Sequence, residues 1–300
     1  MAADFNEIIQ RRLGPTLIDT VFHKQLEILT GIFGKMGARS GDRITESFRT
    51  AWTSNAAAYD KSSVDVAAAT QTLVKPYWTK KNYNASAEVF NIDVANNTGN
   101  DVAIDLAADA IANELKALAA VCFDAFFTRA LADVDSSGTA YSDASLSRST
   151  YATLASYEEV TDATITLAYV RAMINGTVAS KNVDRRDYVI LMEETTYNTF
   201  TTLAAAEHTW NQAGDVSLSG RSYGYAPTGT FEGIPVYSIP GMLTGSVYML
   251  RVQDVKIVEN DAMRIEMKNS ERDTQLAQIY YGFTPYIINP GYQGKMLNKD

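Results

Sequence analysis

The stretch from Asp101 to Asp133, DVAIDLAADAIANELKALAAVCFDAFFTRALAD, constrains this chain more than any other. Neither proline nor glycine interrupts it, alanine gives it high helix propensity, and the next glycine is Gly138. Ile104, Ala108, Ile111, Leu115, Leu118, Cys122 and Phe126 recur at spacings of three or four, while Asp105, Asp109, Asn113, Lys116 and Asp124 form a separate stripe. The pattern predicts one amphipathic helix of about nine turns, on the order of 45 Å long, with one face buried and one wet. That exceeds what a compact globular domain ordinarily uses, so the helix is expected to be a strut for something extended.

A strut needs a body, and 300 residues with 46% hydrophobic content can bury a sizeable core in one large domain or two linked ones. The single cysteine, Cys122, lies on the apolar stripe, which excludes a disulfide framework and a cysteine-based metal site within one chain. It reads as a small core residue. The opening MAADFNEIIQRR puts Asp4 and Glu7 where a signal peptide would be basic, and no window approaches the roughly 18 apolar residues of a membrane span. A soluble, unsecreted protein is expected, so the sequons at Asn84, Asn96 and Asn175 carry no glycosylation meaning. The net charge is −9, and basic residues cluster only in pairs such as Arg11/Arg12, Lys80/Lys81 and Arg185/Arg186, which argues against a dedicated nucleic-acid-binding domain. Residues 101 to 135 hold seven acids and two bases, a local net of −5 that repels DNA.

Before the long helix, residues 4 to 36 read as two helical segments broken by Gly14 and Pro15, the second with Leu17, Val21, Leu26, Leu29 and Phe33 as contacts. This is an arm or bracket. RITESFRTAWTS, with Ile44, Phe48 and Trp52, and QTLVKPYWTKKNYNASAEVFNIDV then read as two long strands, joined by SNAAAYDKSSVDVAA at the tip of a hairpin. So few large apolar residues leave the hairpin marginal in isolation, and it is expected to lean on another molecule. After the helix come a Ser/Thr/Ala-rich loop over 135–154, a helix from about Asp162 to Ser180 with Ile165, Leu167, Val170 and Ile174, a buried strand at Asp187–Met192 and a helix over Glu193–Ala206. Residues 211–246 are glycine-rich with a strand-like TFEGIPVYSI. VYMLRV, VKIVEN, MRIEMKN and TQLAQIYYGFTPYIINP follow as successive strands before a polar tail. The fold class is α+β.

Candidate chemistry fails on context. Gly220-Arg221-Ser222-Tyr223-Gly224 is a literal G-x-S-x-G, but Pro227 and Gly229 preclude an immediate helix, and His23 and His208 both precede the serine. A turn is the better reading, although an Asp, His208, Ser222 order stays formally open. Asp133, Asp135, Ser137 and Gly138 begin like a calcium loop, yet Ala144 stands where the bidentate glutamate belongs. Two distant histidines give no zinc spacing, and Gly34-Lys35-Met36 and Gly294-Lys295-Met296 lack the rest of a phosphate loop. Glu158/Glu159 and Glu193/Glu194 read as solvated caps at helix starts. No catalytic residue, cofactor or metal is expected.

The order of segments resembles the major capsid protein of tailed bacteriophages, the Hong Kong 97-like fold. Three stretches carry the match: KKNYNASAEVFNIDVANN leading into the helix that ends FDAFFTRAL, DYVILMEETTYNTF with the later GTFEGIPVYSIPGM, and the carboxyl-terminal GFTPYIINPG. Together they span most of residues 35 to 295. The resemblance implies an amino-terminal arm at 1–40, an extension loop at 41–84, a peripheral domain at 85–160 and 247–300 with a spine helix at 101–133, and an apical domain at 161–246.

It further implies a virion shell subunit without an active site, assembled in the host cytoplasm into hexameric and pentameric capsomers. Its partners would be further copies of itself, scaffolding and portal proteins, and packaged DNA without sequence-specific contacts; no membrane is involved. A spine facing the lumen gives the local −5 a meaning, since an acidic wall avoids trapping DNA. With about 40 residues before the hairpin, a separate scaffolding protein is expected rather than a fused one, and no isopeptide crosslink is expected. The candidate inter-subunit contacts are Trp52, Tyr59, Lys61, Trp78, Lys80 and Lys81 on the extension loop and Arg221 and Tyr223 on the glycine-rich loop, read as exposed positions on thin segments. Two alternatives remain: an encapsulin-like nanocompartment shell of the same fold, and a cytosolic α+β hydrolase using Ser222.

Overall fold

The computed structural model describes residues 24–37, 41–52, 71–75, 77–90, 100–131, 134, 139–140, 146–147, 156–159, 163–178, 183–206, 210–212, 229–269 and 274–297. In chain order these form α1 (Lys24–Phe33), β1 (Lys35–Met36), β2 (Arg43–Thr45), β3 (Phe48–Trp52), β4 (Gln71–Val74), β5 (Tyr77–Thr79), β6 (Asn82–Phe90) and α2 (Asn100–Ala125). There follow β7 (Thr139–Ala140), β8 (Leu146–Ser147), β9 (Tyr157–Glu159), α3 (Leu167–Thr177), β10 (Tyr188–Met192), α4 (Glu194–Ala206), β11 (Trp210–Gln212), β12 (Gly229–Phe231) and β13 (Ile234–Ser238). The last are β14 (Val247–Arg251), β15 (Val255–Asn269), β16 (Thr274–Ile287) and β17 (Gly294–Met296).

All five residues of β10, YVILM, are buried. A strand apolar on both faces needs a layer on each side. Here Val189 and Leu191 join a core with α1, α2, β15 and β16, while Tyr188, Ile190 and Met192 join a second core with α3 and α4. β10 is central to a seven-stranded sheet of order β11-β12-β13-β10-β14-β17-β9, parallel to β13 and antiparallel to β14. The first core also covers one face of a four-stranded sheet, β1-β15-β16-β6, against which the long helix packs.

The long helix forms as expected over its described length. Ile111, Leu115, Leu118, Cys122 and Phe126 are buried, and Asn113, Lys116 and Asp124 are exposed. The side chains of the stripe residues before 110, and residues 132–133, lie outside what is described. One departure is local: α2 passes into a π-helical turn at Phe126–Ala130. The wider turn lets two consecutive phenylalanines find partners. Phe126 stacks on Phe33 of α1 at 5.6 Å, and Phe127 lies 6.3 Å from Tyr248 of the seven-stranded sheet.

Four expectations are corrected by strand pairing. Lys35–Met36 is not the end of the preceding helix: Gly34, at φ 73°, closes α1 with its N–H donating to the Thr30 carbonyl at 2.8 Å, and β1 then pairs in parallel with β15. The 135–154 loop contains an antiparallel pair, β7 with β8. VKIVEN and MRIEMKN are one strand, β15, with register shifts between Glu259, Asp261 and Arg264. The polar tail returns through a 3₁₀ turn at Pro290–Tyr292 and enters the seven-stranded sheet as β17, between β14 and β9. That sheet therefore takes strands from both sides of the boundaries expected at 160/161 and 246/247.

Candidate assembly surfaces

The two long strands expected about a hairpin tip are each broken, into β2 and β3 before it and β4 and β5 after it, while β6 leaves the hairpin to pair with β16. β2 pairs with β5, matching Ile44 to Trp78, and β3 pairs with β4, from Phe48↔Val74 to Trp52↔Gln71. Alternation along β2 and β5 sets one pair inward and its neighbours outward. Ile44 and Trp78 are buried at its root, Arg43 and Thr45 are exposed, and the Arg43 guanidinium lies over the Tyr77 ring at 4.5 Å. The Trp78 ring meets Tyr286 of β16 with centroids 4.5 Å apart and planes inclined by 38°, and the Tyr286 hydroxyl donates to Glu46 at 3.3 Å.

Trp78 is thus corrected: at 3% exposure it is an intrachain anchor and offers no surface to a neighbour. Lys80 is half-buried, its N–H donating to the Asp42 carbonyl at 3.1 Å, and Lys81 is exposed. The Lys81 backbone joins the body, its N–H donating to Thr284 Oγ1 at 3.0 Å and its carbonyl accepting from Phe283 N at 3.2 Å. Trp78, Lys80 and Lys81 therefore converge on one root. Trp52 closes β3, with its side chain outside what is described. Tyr59, Lys61, Arg221 and Tyr223 lie outside the described residues, as do Ser222, His208, His23 and the Asp133–Gly138 acids.

The acidic pairs divide. Glu193 caps α4, but it is buried rather than solvated: its carboxylate accepts from the N–H groups of Thr195 at 2.9 Å and Thr196 at 3.0 Å. Burial pushes its pKa up, and the hydrogen bonds from Thr195 and Thr196 more than reverse that, so it lies below the ordinary value. Glu158 and Glu159 start no helix; they lie on β9, where Glu158 meets Lys295 of β17 at 2.8 Å.

Two polar clusters had no sequence signal, because their members are distant in the chain. In the β12–β13 turn Glu232 sits at φ 50°, and its carboxylate accepts from Arg171 Nε at 3.0 Å and pairs with Arg185 at 3.1 Å. Where the chain crosses between the two sheets, the fully buried Gln293 accepts from Arg251 N–H at 2.7 Å and donates to the Asn289 carbonyl at 3.0 Å and to Asp254 at 3.4 Å. Arg251 also pairs with Asp187 at 3.3 Å. Burial raises the Asp254 carboxyl to about 6 despite Arg251, Lys256 and Gln293.

On the long helix, burial pushes the Cys122 thiol up to about 12, which makes it unreactive. The outward face shows Val121, 49% exposed, beside Asp124. Among the described residues, no group of three or more His, Cys, Asp or Glu could hold a metal ion, and no helix is long and apolar enough to cross a membrane.

No family model matches this sequence, and no curated protein matches it. Solved structures do. A chain of the cyanophage A-1(L) capsid asymmetric unit superposes with a TM-score of 0.69 at 14% identity, covering 91% of this chain and 93% of the other. The fold is the Hong Kong 97-like capsid fold. The capsid of the native GTA particle is similar with a TM-score of 0.60 at 13% identity, covering 91% and 90% of the two chains. The mature capsid of bacteriophage PhiM1 follows with a TM-score of 0.56 at 10% identity, covering 88% and 84%. The Hong Kong 97-like likeness thus takes in about nine tenths of the chain rather than one motif.

Proposed function

We propose that this chain is a major capsid protein, a structural subunit that self-assembles into the icosahedral shell around the genome of a tailed double-stranded DNA phage. The observation that carries the reading is the extent of the likeness: about nine tenths of this chain matches about nine tenths of a capsid subunit, leaving little of either unaccounted for. In this reading the long helix is the spine, the 41–84 hairpin is the extension loop reaching a neighbouring copy, and α3, α4 and the strands between them form the apical part. Capsomers of five or six copies, scaffolding and portal proteins, and DNA held without sequence-specific contacts complete the partners. Trp52, Tyr59, Lys61, Lys80, Lys81, Arg221 and Tyr223 are the proposed contact residues, and the role is structural rather than enzymatic.

Concentrating the purified protein and imaging it by negative stain should reveal closed shells. Monomers under every condition would overturn the proposal, and particles filled with cargo protein instead of nucleic acid would redirect it to a nanocompartment. Deleting the segment between Ser54 and Val66 should leave the fold intact and abolish assembly. The acidic spine is read as a lumenal wall, so Asp105→Lys with Asp109→Lys should impair DNA packaging into assembled shells, and undiminished packaging would sink that reading.

A further inference from the structure

A two-stranded ribbon tied to a body by its two chain ends pivots unless something braces it. Among the described residues, the contacts that brace the hairpin root differ in kind. Trp78 on Tyr286 is apolar, and such contact holds a ring in place without fixing its angle; the Tyr286 hydroxyl adds one long hydrogen bond to Glu46, at 3.3 Å. The second brace is directional. Thr284 Oγ1 accepts from the Lys81 N–H at 3.0 Å and from the Asn260 side-chain amide, and that amide also lies 3.4 Å from the Lys81 carbonyl. Hydrogen bonds weaken steeply off axis, so this brace resists rotation as well as separation.

Asn260 reaches that position because β15 is irregular there. Glu259 pairs with Phe283 and Asp261 with Gly282, so Asn260 has no residue opposite it in the ladder. A bulge re-aims the side chain it frees. Gly282 makes the bulge sterically feasible: a Cβ there would stand 2.4 Å from the Asp261 nitrogen and 3.0 Å from the Asn260 Cβ. Bulge, glycine and amide therefore act at one point, the covalent step at Lys80–Lys81 from hairpin strand β5 to sheet strand β6.

We infer that Asn260 is the angle-setting residue of the hairpin, a latch that locks the root against the body while the Trp78–Tyr286 contact acts as the pivot. The inference rests on the reading of the hairpin as an arm that reaches a neighbouring copy. For such an arm, angle matters more than attachment: an error at the root is multiplied along its length, and subunits laid down at mixed angles give mixed curvature.

The test uses the single chain. Spin labels on Thr45→Cys in β2 and Asn113→Cys in α2, both exposed positions, report the hairpin-to-body distance by pulsed electron resonance, and buried Cys122 stays unlabelled. The unmodified root should give one narrow distance distribution. Asn260→Ala and Asn260→Asp, the second preserving shape while removing the amide donor, should each widen it at least about twofold, and Thr284→Val should do the same. Thr284→Ser keeps the hydroxyl and should keep the narrow width, which guards against a general loss of fold. An unchanged width in both Asn260 variants overturns the latch. A narrow width in a chain that never forms shells would leave the latch standing and overturn the shell reading instead.

Discussion

The seven-stranded sheet and the 41–84 hairpin are both built from short strands, yet they hold themselves together in opposite ways. β10 has a packed layer on each side, so Ile190 and Val189 are both fully enclosed although they point in opposite directions. At the hairpin root the described side chains show one enclosed pair, Ile44 with Trp78, flanked by exposed Arg43 and Thr45. The difference separates a region whose stability is internal from one whose stability is borrowed at a single point. Under the proposed shell role that division is useful, because a part that must engage a neighbour cannot already have satisfied its own surface.

The largest effect that would break this comparison concerns Phe200. Phe200 is fully buried in the second core, with its ring edge-on to Phe231 at 5.1 Å. Phe200→Ala should cost about 3–5 kcal/mol, read as a fall in the urea midpoint at unchanged m-value. A loss under about 1 kcal/mol would mean that this wall of the sheet is not tightly enclosed. The next effect tests the crossing between the sheets. Asp254 is raised from 3.8 to about 6, so its stabilising contribution is present at low pH and is lost as pH rises through about 6. Unfolding free energies of wild type and Asp254→Asn, compared at about pH 7 and about pH 4, should converge at the acid end and differ by up to about 2 kcal/mol at neutral pH, with the asparagine variant the more stable. A difference that grows on acidification would contradict the sign.

A smaller effect sharpens the picture of how α4 is set against the sheet. Glu193→Ala removes a cap that satisfies two N–H groups and should cost about 1 kcal/mol in thermal or urea unfolding, whereas replacement by aspartate should recover part of it. The smallest global change is expected at the hairpin itself. Trp78→Ala should loosen the root, speeding amide exchange at Arg43 and Thr79, while moving global stability by less than about 1 kcal/mol, because the hairpin opens without the rest. If Trp78→Ala lowered the urea midpoint as far as Phe200→Ala, the hairpin would belong to the same cooperative unit as the sheets.

The helical and strand patterns were readable where the information is local. The three-and-four spacing from Ile111 to Phe126 and the uninterrupted YVILM identify one enclosed helix face and one strand enclosed on both sides, since periodicity of apolar residues is a property of neighbours in the chain. A hairpin about a polar tip was legible for the same reason, but not its division into β2 with β5 and β3 with β4. Of the contact residues, Trp78 was misplaced because an aromatic on a polar ribbon looks the same in sequence whether it faces solvent or a tyrosine more than two hundred residues away.

By itself the sequence determined an α+β chain organised on a long amphipathic helix, and the order of its parts. Only the tertiary structure decided that the tail becomes β17, that β15 is one bulged strand, and that Glu232 gathers Arg171 and Arg185 from remote segments. The physical reason is common to all of these. Ladder hydrogen bonds and ion pairs form between groups that meet only after the chain has folded, and no local propensity records which partner will be opposite.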